Sequence, residues 1–252
     1  MNLFYRELGE GEPIVILHGV FGSSDNWLTP AKVLSQDHKV YLIDQRNHGH
    51  SPKSDVFNNV IMAEDLAEFM DQHSIKDPTV IGHSMGGKVA MNFAKKHEEN
   101  LKKLIVVDIA PKYYPPHHQK ILAGMKAIDL KQLKTRQEAD EILKQFEPEI
   151  GVRQFLLKNL YRNEQGKFDW RINLSVISEK IENVGEALDE STEISTPTLF
   201  IRGEKSNYIK AGDEDLIRKF FKNYTIVTIE GAGHWVQAEQ PDRFLKAVQA
   251  FL

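Results

Sequence analysis

The sequence predicts an α/β fold: a mostly parallel sheet with helices on both faces. Three observations point there. Short apolar runs alternate with amphipathic stretches along the chain. Runs such as Ile14-Val15-Ile16-Leu17 are apolar at consecutive positions, as a strand buried on both faces requires. Polar, reactive residues follow the runs directly, and a sheet of this kind gathers function at the C-terminal ends of its strands.

In chain order, the first strand of the parallel set is Ile14–Leu17, followed by His18-Gly19. Val40–Ile43 is the next, followed by Asp44. Ile61, Ala63, Leu66, Ala67, Phe69 and Met70 then fall at helical spacing. Thr79-Val80-Ile81 leads into Ser84 and an amphipathic stretch from Lys88 to Ala94. Leu104–Val107 ends at Asp108, Thr198–Ile201 at Arg202-Gly203-Glu204, and Thr225–Ile229 shortly before Gly231-Ala232-Gly233-His234. Pro241 suits the first turn of a last helix through Phe244, Leu245, Val248 and Phe251. The alternation breaks between about Pro111 and Thr196, where Leu122, Met125, Ile128, Leu130 and Leu133 are loosely helical. Because this stretch starts at the functional edge, it reads as a helical cap over 111–195, inserted into a core of 1–110 and 196–252. A longer crossover connection is the plainer alternative.

A chain of 252 residues suits one sizeable domain. A net charge of −4 favours neither nucleic acid nor an anionic membrane. No apolar run is long enough to span a bilayer, and Met1–Glu7 lacks the basic and apolar regions of a signal peptide. Cysteine is absent, which excludes disulfides, a thiol nucleophile and thiolate metal sites, and agrees with a cytoplasmic location.

Gly82-His83-Ser84-Met85-Gly86 is G-x-S-x-G between a strand and a helix. Its glycines let the backbone reverse in little space, so that Ser84 is lifted above the strand end. The same turn aims the Met85 N–H at the place where a carbonyl oxygen would become negative. A serine hydroxyl needs a base, and in this setting the order is serine, acid, histidine. Only His97, His117, His118 and His234 follow Ser84. His97 lies at the far end of the helix, and His117 and His118 in a proline-rich turn. His234 sits in a Gly-Ala-Gly loop after the last strand, able to reach back, and is the candidate base.

A common position for the acid, three residues past Gly203, holds Ser206. Asp108, at the end of the preceding strand, is therefore the better candidate, with a strand-end or helix-cap aspartate as its ordinary role. Ser206 could then support Asp108 or His234 as a fourth member, or be a plain loop serine. The second oxyanion donor should come from His18-Gly19-Val20-Phe21-Gly22, with Val20 first and Phe21 next.

Two motifs mislead. Gly82–Lys88 fits a phosphate loop, but Val89 stands where the magnesium-binding hydroxyl belongs. Asp44–His50 offers two histidines and an aspartate without the spacing of a zinc site, so a structured loop is expected and no metal.

Together these segments resemble the α/β-hydrolase superfamily, and within it the serine esterases of the YbfF-type and abhydrolase-domain group. The carrying motifs are His18–Trp27, Asp44–Pro52, Gly82–Lys88, Val107–Pro111, Arg202–Tyr208 and Gly231–Trp235. The resemblance implies the α/β-hydrolase fold, with an eight-stranded sheet and a helical cap. It also implies hydrolysis of short- to medium-chain acyl esters or thioesters without a cofactor, Asp108 as triad acid, and Ser206 in its hydrogen-bond network. The expected partner is a small acyl ester or thioester. The fold also hosts carbon–carbon hydrolases, lyases and cofactor-free perhydrolases, and a ligand-binding protein with vestigial turnover is a further alternative.

Overall fold

The structure, a computed structural model, describes residues 1–252. The chain opens with β1 (Tyr5–Leu8) and β2 (Glu12–Leu17), then α1 (Leu28–Leu34) and β3 (His38–Ile43). Next come α2 (Asn59–Gln72), β4 (Thr79–His83), α3 (Met85–His97) and β5 (Lys103–Val107). The stretch to residue 195 holds α4 (Gln119–Ala127), α5 (Arg136–Leu143), α6 (Ile150–Leu157), a hairpin of β6 (Leu160–Arg162) and β7 (Phe168–Trp170), and α7 (Leu174–Lys180). The chain closes with β8 (Thr198–Gly203), α8 (Glu214–Phe220), β9 (Tyr224–Ile229), α9 (Val236–Glu239) and α10 (Pro241–Phe251).

The sheet order is β1-β3-β2-β4-β5-β8-β9, parallel except for β1. It has seven strands, one fewer than the family resemblance implies. The six apolar runs supply six parallel strands, and Tyr5–Leu8 adds one antiparallel edge. Neither edge carries a further strand. A second departure is the β6–β7 hairpin, which forms a separate two-stranded sheet.

Alternation along the buried strands divides the core. Val15, Leu17 and Val80 pack on one face, with α2 and α3. Ile14, Ile16 and Ile81 pack on the other, against α1 and α10. This is why Ile14–Leu17 carries no polar position. The candidate site residues Val20, Phe21, Ser84 and Asp108 then follow the C-terminal ends of β2, β4 and β5, along one rim. No helix is long and apolar enough to cross a membrane.

Candidate active site

The turn from β4 into α3 places Ser84 at φ +53°, in the left-handed region. Close packing makes the turn possible. A Cβ on Gly82 would lie 2.2 Å from the Gly86 carbonyl oxygen, and one on Gly86 would lie 2.4 Å from that of Leu17. Ser84 is the N-cap of α3 and Met85 its first residue, so the Met85 N–H has no intrahelical acceptor and points out of the positive end of the helix.

Three side chains separated by long stretches of sequence meet above this turn. The His234 Nε2 lies 3.0 Å from the Ser84 Oγ, and its Nδ1 lies 2.7 Å from the Asp108 Oδ2. Asp108 is fully buried, at φ +52° directly after β5. Its carboxylate also accepts the Gly203 N–H at 3.1 Å and the Ser206 hydroxyl. A buried carboxylate so supplied with donors stays in one orientation. With Nδ1 facing a carboxylate, the network assigns the imidazole proton there and leaves Nε2 to accept from Ser84.

The loop bearing His234 is fixed on both sides. The Glu239 carboxylate accepts the N–H of Gly233 at 2.7 Å and of Trp235 at 3.1 Å. The His83 Nε2 donates to the His234 carbonyl at 2.8 Å. Burial, with the neighbouring His234 adding to it, holds the His83 pKa down at about 3.

The loop after β2 offers the second backbone donor. The Phe21 N–H is already engaged, donating to the His48 Nε2 at 3.2 Å. The Val20 N–H donates to no protein acceptor. Of the two candidate residues, Val20 has the free donor. His48 in turn donates from Nδ1 to the Arg46 carbonyl at 2.9 Å, and burial holds its pKa at about 3. His18 accepts the Gln45 N–H at 3.0 Å, and burial lowers its pKa too. These neutral histidines fasten the loops of the rim.

The misleading motifs resolve in the same way. Asp44 accepts N–H groups of Ser24 and His50, and no group of three His, Asp or Glu is arranged to hold a metal. The Lys88 ammonium donates to the carbonyls of Lys112 and Glu186. His97 lies beside Glu64, far from the rim.

Sequence reasoning passed over Tyr208. Its ring stacks on the His234 imidazole with centroids 3.7 Å apart and planes 12° apart, while its hydroxyl meets the His117 Nε2 at 2.6 Å. His117 and His118, set aside as bases, line the cavity around Ser84. The one available signal was that Tyr208 lies two residues past Ser206.

A family model described as the alpha/beta hydrolase fold matches residues 12–146. Esterase YbfF of Escherichia coli is 38% identical over 241 residues, covering 95% of this chain and 92% of that protein. A mouse protein, sn-1-specific diacylglycerol lipase ABHD11, is 36% identical over 247 residues, covering 95% of this chain and 80% of that protein. A solved structure of a marine microorganism esterase superposes with a TM-score of 0.97 at 44% identity, covering 99% of both chains. The strand order, the G-x-S-x-G turn and these matches agree: the chain belongs to the α/β-hydrolase family.

Proposed function

We propose that the protein is a serine carboxylesterase or acyl thioesterase, cleaving acyl esters or thioesters within the short- to medium-chain range through an acyl-enzyme. The observation that carries this reading is the continuous path Asp108–His234–Ser84, with both contacts at hydrogen-bond distance. Relatives bearing the names esterase and diacylglycerol lipase support an ester as substrate.

The Ser84 oxygen forms a bond to the acyl carbon while the His234 Nε2 takes its proton. The carbonyl pair moves onto oxygen, where the N–H groups of Val20 and Met85 receive the charge. Asp108 stabilises the imidazolium, and Ser206 with the Gly203 N–H keeps Asp108 aimed. When the pair returns, the bond to the leaving oxygen or sulfur breaks and His234 supplies that atom's proton. Water repeats the steps on the acyl-enzyme and releases the acid. Residues 111–195 act as the cap over this chemistry, and the cysteine-free composition supports a cytoplasmic setting. No cofactor enters any step.

Ser84→Ala is expected to abolish hydrolysis of p-nitrophenyl acetate and covalent labelling by a fluorophosphonate. Turnover retained by the purified variant would eliminate the mechanism.

A further inference from the structure

We propose, resting on the hydrolase reading above, that the site is built for esters of a very small acyl group with a bulky, largely apolar alcohol or thiol. The acyl part would be acetyl or propionyl. Size selection falls on the acid, and the leaving group is selected loosely.

Two cavities of very different size meet at Ser84. The larger has a volume of about 580 Å³ and is walled by Ile121, Val152, Phe155 and Trp235, with the last two rings 5.6 Å apart. That is the size of an ordinary small-molecule site. The smaller leaves only about 20 Å³ for the centre of a water-sized group, between Met85, Ile109, Tyr114, Ile181 and Val184. On the same measure the larger cavity is roomier by more than an order of magnitude, so the slot is the half of the site that limits size.

The proton path decides which half of the ester goes where. His234 must reach the leaving atom to protonate it. His234 lines the large cavity and is absent from the slot. Met85, whose N–H faces the developing oxyanion, lines the slot and is absent from the large cavity. The leaving group therefore extends along the His234 side, and the acyl chain turns into the slot.

The slot is not free to widen. The Tyr114 N–H donates to the Gly185 carbonyl at 2.8 Å, and a Cβ on Gly185 would lie 2.1 Å from the Tyr114 oxygen. The Tyr114 hydroxyl accepts the Ala110 N–H at 2.9 Å and donates to the Tyr208 carbonyl. These contacts hold Tyr114 and Gly185, on one wall of the slot, in place.

The test compares p-nitrophenyl acetate, propionate, butyrate, hexanoate and octanoate, then phenyl acetate with 1-naphthyl acetate. Beyond propionate, kcat/KM is expected to drop by about tenfold per added methylene at first, the discrimination an apolar pocket achieves. The two aryl acetates should differ by less than about fivefold, since the large cavity discriminates little. Ile181→Ala should raise the hexanoate-to-acetate ratio by about tenfold or more, and Val184→Ala serves the same purpose should Ile181→Ala not fold. A flat chain-length profile, an optimum at octanoate, or rejection of the naphthyl ester would overturn the assignment while leaving the hydrolase reading intact. Failure of the whole ester panel together with no fluorophosphonate labelling of Ser84 would overturn both.

Discussion

Ser206 stands at a position where the fold commonly carries the acid, and its hydroxyl donates to the carboxylate of Asp108, the candidate acid. The buried Asp108 has two oxygens to satisfy, with Gly203 on one and Ser206 and His234 on the other. Removing the Ser206 donor withdraws a hydrogen bond to a charged group, worth about 1.5–3 kcal/mol. Ser206→Ala is therefore expected to lower kcat by about tenfold, while Asp108→Asn, which upsets the imidazole tautomer, lowers it by about 10⁴-fold. Steady-state kinetics on p-nitrophenyl acetate measures both. Equal losses in the two variants would contradict a supporting role for Ser206. That Ser84, His234 and Asp108 share one site was legible because each closely follows an apolar run or a glycine turn. Tyr208 and His117 were not, because their contact with the site depends on how a loop folds back and not on any local pattern.

At the scale of elements, α3 ties the sheet to the helices above it. Lys88, in its second turn, is buried and donates to the carbonyls of Lys112 and Glu186, one on each side of the intervening helices. Burial, with Lys112 nearby, draws its pKa down to about 7. The group survives in an apolar setting because two carbonyls and the face of Tyr114, 5.0 Å away, receive it. Lys88→Met would take the donor from two partly buried carbonyls, at about 1 kcal/mol each. We expect the urea midpoint to fall accordingly, with kcat reduced more than the Ser84 geometry alone would require; an unchanged midpoint would contradict this account. The sequence made Lys88 look like part of a phosphate loop. Its true partners lie 24 and 98 residues away, beyond the reach of any motif. The β6–β7 hairpin escaped for a related reason. Strands of three residues are too short to show a period, and only the turn at Asn163-Glu164-Gln165-Gly166, with Gly166 at φ +73°, marks it.

For the whole molecule, the rim is assembled with neutral imidazoles. His48 and His83 are held at pKa values of about 3, against 6.5 for an ordinary histidine, and His18 is also lowered. Between those limits the unfolded chain binds protons that the folded chain refuses. Stability is then full above pH 6.5 and declines as the pH falls toward 3, by about 1.4 kcal/mol per pH unit for each such histidine. Urea midpoints measured from pH 7.5 to pH 5 should decrease steadily, and a constant midpoint would contradict the buried neutral state. The parallel sheet itself was legible throughout, since consecutive apolar positions leave little else for those runs to form. The missing eighth strand was not, because it was expected from the family and no run in the sequence stood for it.

The bond from His83 to the His234 carbonyl joins the neighbour of the proposed nucleophile, Ser84, to the proposed base. Serine and imidazole are thereby clamped to a common frame, one link from either end of their shared proton. Warming cannot pull them apart without first rupturing an interior contact of β4, so heat should extinguish turnover and melt the fold in a single event.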